Sequence, residues 1–293
     1  MKYLSVSEIA KKWELSERTI RNYCNKGKIN GAFMIGKTWN IPEDSLNPVK
    51  KHNKIKHYLL DIFLNEKNNF VKGGIYHKTQ VNLAYNSNHI EGSRLSEDQT
   101  RYIYETNTIG IEKEPVNIDD IFETINHFKC FDFILENALL PLTQDLIKKI
   151  HFLLKYGTKD TEKGFNVGEY KKFANEVGGE ETCKPENVKD EMQNLLENYN
   201  SKENKTIEDI VEFHKNFESI HPFQDGNGRV GRLILFKECL ANNIVPFIIT
   251  ERLKFFYYRG LKEWNKDKVY LMDTCLSAQD QFKEYLKYFN IIY

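Results

Sequence analysis

From about residue 55 to the end, apolar side chains recur at spacings of three and four, the period of helices that each bury one face. The pattern marks ten stretches, residues 55–64, 79–91, 96–106, 118–139, 143–154, 185–199, 207–220, 227–241, 251–264 and 269–288, separated by polar or glycine-bearing turns. Residues 168–179 break the rhythm: three glycines and no helical period predict a loop or small hairpin. The first 46 residues follow a different plan. Residues 6–13 and 17–24 predict two short amphipathic helices, each preceded by a serine placed as an N-cap, Ser5 and Ser16. Ile9, Ala10, Trp13, Leu15, Ile20 and Tyr23 fall on their inward faces, and residues 33–41 then alternate around Gly36-Lys37 as a hairpin does. The expected organisation is a helix-turn-helix with a wing over residues 1–48, a polar, proline-marked linker over 49–56, and a mainly α domain over 57–293.

Charge sharpens that division. Lys+Arg and Asp+Glu both number 42 over the 293 residues. Residues 1–56 hold 12 of the cations and 5 of the anions, an excess of seven that the rest of the chain carries with the opposite sign. A basic module joined to an acidic one is the implied arrangement. Five cysteines, widely spaced and without a C-x-x-C pair, argue against a disulfide framework or a zinc site. The N-terminus lacks a signal-peptide apolar core, and no apolar run reaches the roughly 18 residues a membrane span needs. A soluble, cytoplasmic protein without a membrane partner is expected.

Helix, turn, helix and hairpin over residues 3–46 resemble the excisionase-like and MerR-like DNA-binding modules. The resemblance implies that the second helix enters a major groove, with Arg18, Thr19, Arg21 and Asn22 facing bases and phosphates and Lys37 on the wing. The other reading is a basic helical hairpin that packs on the larger domain. One module offers few phosphate contacts, so binding at cellular salt calls for a homodimer.

The densest chemistry lies in His221-Pro-Phe-Gln-Asp-Gly-Asn-Gly-Arg-Val-Gly-Arg232. Asp225, Gly226, Asn227 and Gly228 set a carboxylate and a flexible backbone just before an apolar helix, where successive amides and the helix N-terminus favour phosphate. Arg229 and Arg232, three apart, share one side of the first turn, within reach of one polyphosphate. His221 on the opposite rim is free to act as a base. Taken singly, each has a plainer reading: a capped helix end, a turn, a solvated face.

The order His221-Pro222-Phe223-x-Asp225-Gly226-Asn227-Gly228-Arg229-x-x-Arg232 resembles the signature of the Fic domain family at every specified position, and the resemblance extends over about residues 60–290. It implies a helical core with a small hairpin flap, and transfer of AMP from ATP to a Ser, Thr or Tyr hydroxyl of a target protein, with self-modification as an accompanying reaction. His221 would take the hydroxyl proton and Asp225 would hold Mg²⁺. The Gly226-Asn227-Gly228 backbone and the Asn227 amide would cradle the phosphates. Arg229 would neutralise the leaving pyrophosphate, Arg232 would hold the γ-phosphate, and a buried Phe223 would anchor the loop. A lone carboxylate completed by phosphate oxygens and water suits Mg²⁺ on physical grounds as well. In the branch that transfers phosphate instead of AMP a lysine stands where this chain has Gly228. Tyr258 and Asn265, seven apart, resemble the family's adenine contacts; aromatic core packing is the competing reading. The flap, residues 173–183, would clamp an extended target segment through Phe173, Ala174, Asn175, Glu176 and Val177.

Ser87-Asn-His-Ile-Glu91-Gly92, at the end of a predicted helix, resembles the family's inhibitory motif. Ser87 and Glu91 are four apart on one face, and Gly92 ends the helix. Glu91 paired with Arg232 would occupy the guanidinium that the γ-phosphate needs. The leading expectation is therefore an autoinhibited adenylyltransferase. A DNA-binding regulator that only senses nucleotide, and an enzyme whose main reaction is AMP removal, are the alternatives.

Overall fold

The computed structural model describes residues 2–13, 15–45, 47, 57–110, 115–162 and 166–293. Contacts divide the chain into two compact units, Met1–Lys56 and His57–Tyr293. The expected linker, residues 49–56, lies outside the described residues.

In the first unit, strand β1 (Tyr3–Ser5) leads into α1 (Val6–Trp13) and α2 (Glu17–Asn25), followed by β2 (Phe33–Ile35) and β3 (Thr38–Pro42). Ser16 caps α2, its Oγ accepting the Thr19 N–H at 3.2 Å. Ser5 does the same for α1, with Glu8 reaching back to the Ser5 amide at 2.8 Å. The three strands are antiparallel in the order β1-β3-β2. Gly36, with φ of +62°, makes the turn between β2 and β3. Val6, Ile9, Ala10, Ile20, Cys24, Ile29 and Ile41 form the core, flanked by Trp13, Leu15, Tyr23 and Trp39. The sequence pattern misses β1, because its partner Ile41 lies far away in the chain.

The second unit is helical: α3 (Tyr58–Asn68), α4 (Ile75–Ile90), α5 (Glu97–Thr106), α6 (Ile118–Glu136), α7 (Gln144–Lys155), the short α8 (Lys159–Glu162), α9 (Val188–Asn200), α10 (Ile207–Ile220), α11 (Asn227–Ala241), α12 (Lys254–Glu263) and α13 (Val269–Tyr288). A hairpin of β4 (Glu176–Val177) and β5 (Glu180–Glu181) stands between α8 and α9, turning on Gly178 and Gly179, both at positive φ. Among the described residues no helix is long and apolar enough to cross a membrane.

Helix α11 is the axis of this unit. Every residue from Asn227 to Leu240 is buried, with α3, α4, α6, α7 and α10 packed around it. Leu233, Ile234, Leu235 and Phe236 are almost wholly excluded from water, and such side chains each stabilise the fold by roughly 1.5–3 kcal/mol. The polar residues of its first turn are thus carried into the middle of the domain, where side chains from other helices must meet them.

Candidate active site

Helix α10 ends at Ile220, and His221 closes it in the left-handed conformation, φ 52° and ψ 61°. That turn swings the chain across the N-terminus of α11. Phe223 is fully buried and stacks on His151 of α7, ring centres 3.9 Å apart and planes within 5°. Asn227 locks the loop from the other side: its Oδ1 accepts the Phe223 N–H and its Nδ2 donates to the Phe223 carbonyl, both at 2.8 Å. This corrects one expectation. With the Asn227 amide spent on the loop, the residue can offer a phosphate only its backbone N–H. Phe223→Ala removes the anchor, and a fall in unfolding free energy of about 3–5 kcal/mol is expected from chemical denaturation.

His221 is half-buried, and its Nδ1 lies 3.3 Å from the Glu218 carbonyl. A carbonyl can only accept, so Nδ1 carries the proton and Nε2 keeps its lone pair. Burial lowers the imidazole pKa, keeping the ring neutral near pH 7. His151 is also neutral, pushed down to about 3 by burial. Its Nδ1 accepts from Gly168 N–H at 2.9 Å, and its Nε2 donates to the Asp225 carbonyl at 3.0 Å. His151 therefore braces the loop.

Both arginines of α11 are buried but lead to separate anions. Arg229 bonds Glu123 of α6 through Nη1 and Asp225 through Nη2, the latter at 3.0 Å. Lys155 of α7 joins them, its Nζ 2.6 Å from Asp225 Oδ2 and also bonded to Glu123 and Asp160. Burial pulls the Asp225 carboxyl upward, yet Arg229 and Lys155 outweigh it and hold it well below the usual range. Asp225 stays ionised, its side chain about half exposed. Among the described residues no three His, Cys, Asp or Glu side chains come together as a metal cage. A cation here would draw most of its ligands from phosphate and water, which fits Mg²⁺ and a single hard carboxylate oxygen.

Arg232 meets the segment at residues 87–92. Its Nη2 donates to Glu91 Oε1 at 2.7 Å and to the Ser87 carbonyl at 2.9 Å, while Nε donates to Ser87 Oγ at 3.0 Å. Glu91 caps the C-terminus of α4, and Gly92 follows at φ +102°, a conformation that favours glycine. Burial raises the Glu91 carboxyl, but Arg232 and then Arg229 overcome that and leave it below its ordinary value. Gly228 leaves room for this contact, since a Cβ there would press on Glu91 Oε1. Behind the clasp, α4 is tied to the turn at residues 251–253: Asn86 Oδ1 accepts the Glu251 N–H at 3.1 Å, and His89 Nε2 lies 3.3 Å from Glu251 Oε1.

The flap stands over this loop. Phe173, Ala174, Glu176 and Val177 are exposed. The Asn175 side chain ties the flap to the loop: Nδ2 donates to the Phe223 carbonyl at 3.2 Å and Oδ1 accepts from Lys171 Nζ at 2.7 Å. Lys171, buried and lowered to about 8 by desolvation, also donates to Thr182 Oγ1 at 2.6 Å, so it fastens the hairpin base to the loop. Tyr258 lines a cavity of about 560 Å³ with Val177, Thr182, Lys215 and Glu218. Asn265 departs from expectation: α12 stops at Glu263, so it shares no helical face with Tyr258, and its Oδ1 accepts from Lys215 at 3.3 Å.

In the first unit Arg18 and Asn22 are exposed on α2, and Lys37 is exposed at the hairpin turn. Thr19 is half-buried and bonded to Ser16 Oγ at 2.8 Å, and Arg21 pairs with Glu17 at 2.6 Å, so both are partly engaged within the helix.

Comparison with known proteins agrees with this geometry. Residues 141–238, which include α7, α10, the loop and most of α11, match the Fic/DOC family, and residues 3–47 match a helix-turn-helix domain. The chain carries a Fic domain and a helix-turn-helix domain. A probable protein adenylyltransferase of Aquifex aeolicus is 27% identical over 197 residues, covering 61% of this chain and 60% of that protein. The protein adenylyltransferase Fic of Drosophila melanogaster is also 27% identical over 197 residues, covering 63% of this chain and 37% of its own length. The chain thus spans less than two thirds of these relatives. In three dimensions the Fic domain is similar to Fic-1 of C. elegans, with a TM-score of 0.62, 20% identity and coverage of 80% and 73% of the two chains. A Fic domain containing signaling protein of Bacteroides thetaiotaomicron superposes with a TM-score of 0.59 at 23% identity, covering 80% and 88%.

The site also holds residues that no sequence motif reveals: Glu123, His151, Lys155 and Lys171 come from other segments and meet the loop only in the fold.

Proposed function

We propose that the Fic domain transfers AMP from ATP to a hydroxyl of a protein Ser, Thr or Tyr, and that Glu91 holds it at rest. The observation that carries this reading is the Arg232 clasp. A guanidinium on the first turn of a phosphate-cradling helix is bound by a carboxylate from another helix instead. His221 Nε2, uncharged and on the loop rim, takes the proton as the hydroxyl oxygen attacks the α-phosphorus. The bond to pyrophosphate breaks in the same displacement, and the product is a phosphodiester with free pyrophosphate. The first-turn amides of α11 lack intrahelical acceptors and orient the phosphates. Arg229, fixed by Glu123, offsets charge on the leaving group. Mg²⁺ on Asp225 would supply further neutralisation of the phosphates. Arg232 takes the γ-phosphate once Glu91 withdraws, and Gly228 in place of a lysine favours AMP over phosphate transfer.

The test uses ATP labelled at the α- or the γ-phosphate with the Glu91→Gly chain and Mg²⁺. Label from the α position is expected on protein; label from the γ position alone would overturn AMP transfer.

We also propose that the helix-turn-helix domain binds DNA through the exposed face of α2 and the hairpin turn. Binding to the DNA preceding its own gene should weaken as salt rises, and Arg18→Ala with Arg21→Ala should flatten the salt slope by about one to two units. Arg21 contributes the smaller share because Glu17 already holds it. Gel-shift titrations at several salt concentrations check this; an unchanged slope would remove α2 as the contact surface.

A further inference from the structure

Helix α12 and the turn before it wall a second groove of about 610 Å³. Arg252, Lys254, Arg259 and Lys262 stand along it with Phe255 and Tyr258. Its one carboxylate, Glu251, lies against His89. A groove with four cations stands out in a domain whose net charge is negative. Phe255 is 73% exposed and the neighbouring Phe256 54%. Large aromatics in water beside a charged rim mark a surface built to be covered.

The groove adjoins the cavity under the flap. Tyr258 and Lys262 line both it and the cavity under the flap. Along that path the charge changes sign, because the flap side carries Glu180 and Glu181. A nucleic acid strand presents negative charge throughout and would meet repulsion at the flap, whereas a polypeptide can vary its charge from residue to residue. The Phe255 and Phe256 rings stand at 83° to one another, and Arg259 covers Tyr270 at 4.0 Å, so successive parallel stacking faces are lacking.

We propose that this groove docks an acidic segment of the acceptor protein, its carboxylates on Arg252, Lys254 and Arg259 and an apolar side chain on Phe255, while Lys262 lies 3.8 Å from Glu180 of the flap. The inference rests on the reading of the Fic domain as a protein-modifying enzyme and adds to it a class of acceptor: one with acidic and apolar residues near the modified hydroxyl. Charge complementarity of this kind chooses partners and speeds encounter more than it adds affinity.

Binding is measured without nucleotide, so it stands apart from AMP transfer. The full chain is titrated against a short fluorescein-labelled peptide of aspartates and leucines, followed by anisotropy. The peptide is expected to bind, more weakly as salt rises, and the affinity should drop about tenfold or more in Arg252→Glu with Lys254→Glu. Neither residue belongs to the loop, the clasp or the flap; Arg252 is exposed and Lys254 half-buried at the start of α12. A lysine–leucine peptide should not bind the wild type. Three results would each overturn the proposal: equal binding of the two peptides, no effect of charge reversal, or no binding at about 1 mM. An oligothymidylate that binds more tightly than the acidic peptide and is lost in the same variant would assign the groove to nucleic acid. A dimer seen by sedimentation and abolished by the reversal would assign it to a second copy. If the acidic peptide binds but Glu91→Gly labels nothing from α-labelled ATP, the groove stands and the AMP reading falls.

Discussion

Glu91→Gly is expected to raise self-labelling from α-labelled ATP by about 10- to 150-fold over the wild type. The range follows from the clasp. A charge-assisted hydrogen bond contributes about 1.5–3 kcal/mol, and each 1.4 kcal/mol is a factor of ten. On the proposed reading, ATP in the wild type has to displace Glu91 from Arg232 before its γ-phosphate can be seated; in the variant that competition is gone. Glycine at this position costs the helix little, because residue 91 already lies at the C-cap of α4. Arg232 keeps Ser87 as a partner through Oγ and the backbone carbonyl. A buried cation has nonetheless lost its counter-ion, so the variant should melt lower without nucleotide and gain more from a non-hydrolysable ATP analogue than the wild type does. Thermal melts with and without the analogue read this separately from catalysis. Equal labelling of the two proteins, with equal stabilisation by the analogue, would remove the clasp as a brake. Mild acid should not mimic the substitution. The folded-state pKa of Glu91 lies below its ordinary 4.5, so the pair is complete above that value and is lost only as pH falls through the lowered one.

The parts of this molecule that a reader of the sequence can see are those whose causes are local. Helices α10, α11 and α13 begin and end where periodicity and capping put them, with Thr206 and Asp209 forming a reciprocal cap at the start of α10. Helix α4 begins at Ile75, four residues earlier than its apolar pattern suggests. The reason is non-local: Glu66 of α3 accepts the Tyr76 N–H at 2.8 Å and so supplies the N-terminal acceptor that the segment itself lacks. Strand β1 is likewise created by pairing with β3. The same rule divides the site. His221, Asp225, Arg229 and Arg232 are contiguous, so their chemistry can be recognised together. Lys155 and Glu123 are ordinary helix residues in sequence, and what makes them matter, two buried cations interleaved with carboxylates around Asp225, exists only after α6, α7 and α11 have packed. Asn227 shows the limit in the other direction: its position is legible, but its side chain proves to brace the loop.

His221→Ala in the Glu91→Gly background is expected to lower AMP transfer by about 10²–10⁴-fold, the usual worth of a positioned general base, with little change in nucleotide binding. The separation follows from geometry. The arginines and the α11 amides that would hold phosphate do not depend on the imidazole, and Phe223 and Asn227 keep the loop in place without it. Alanine still bears the left-handed backbone at this position, at a cost of about 1–2 kcal/mol, so a melt must accompany the rates. The base also predicts a pH profile. Burial lowers the His221 pKa below its ordinary 6.5, and under the proposed mechanism the neutral ring is the active form. Transfer by Glu91→Gly should therefore persist as pH falls through 6.5 and decline only at more acid values. Removing Glu91 strengthens the effect, because its carboxylate otherwise favours the protonated ring. An acid limb centred above 6.5, or one unchanged in His221→Ala, would mean that another group takes the proton. Lys171, close enough to His221 to lower its pKa and itself held at about 8, would be the next candidate.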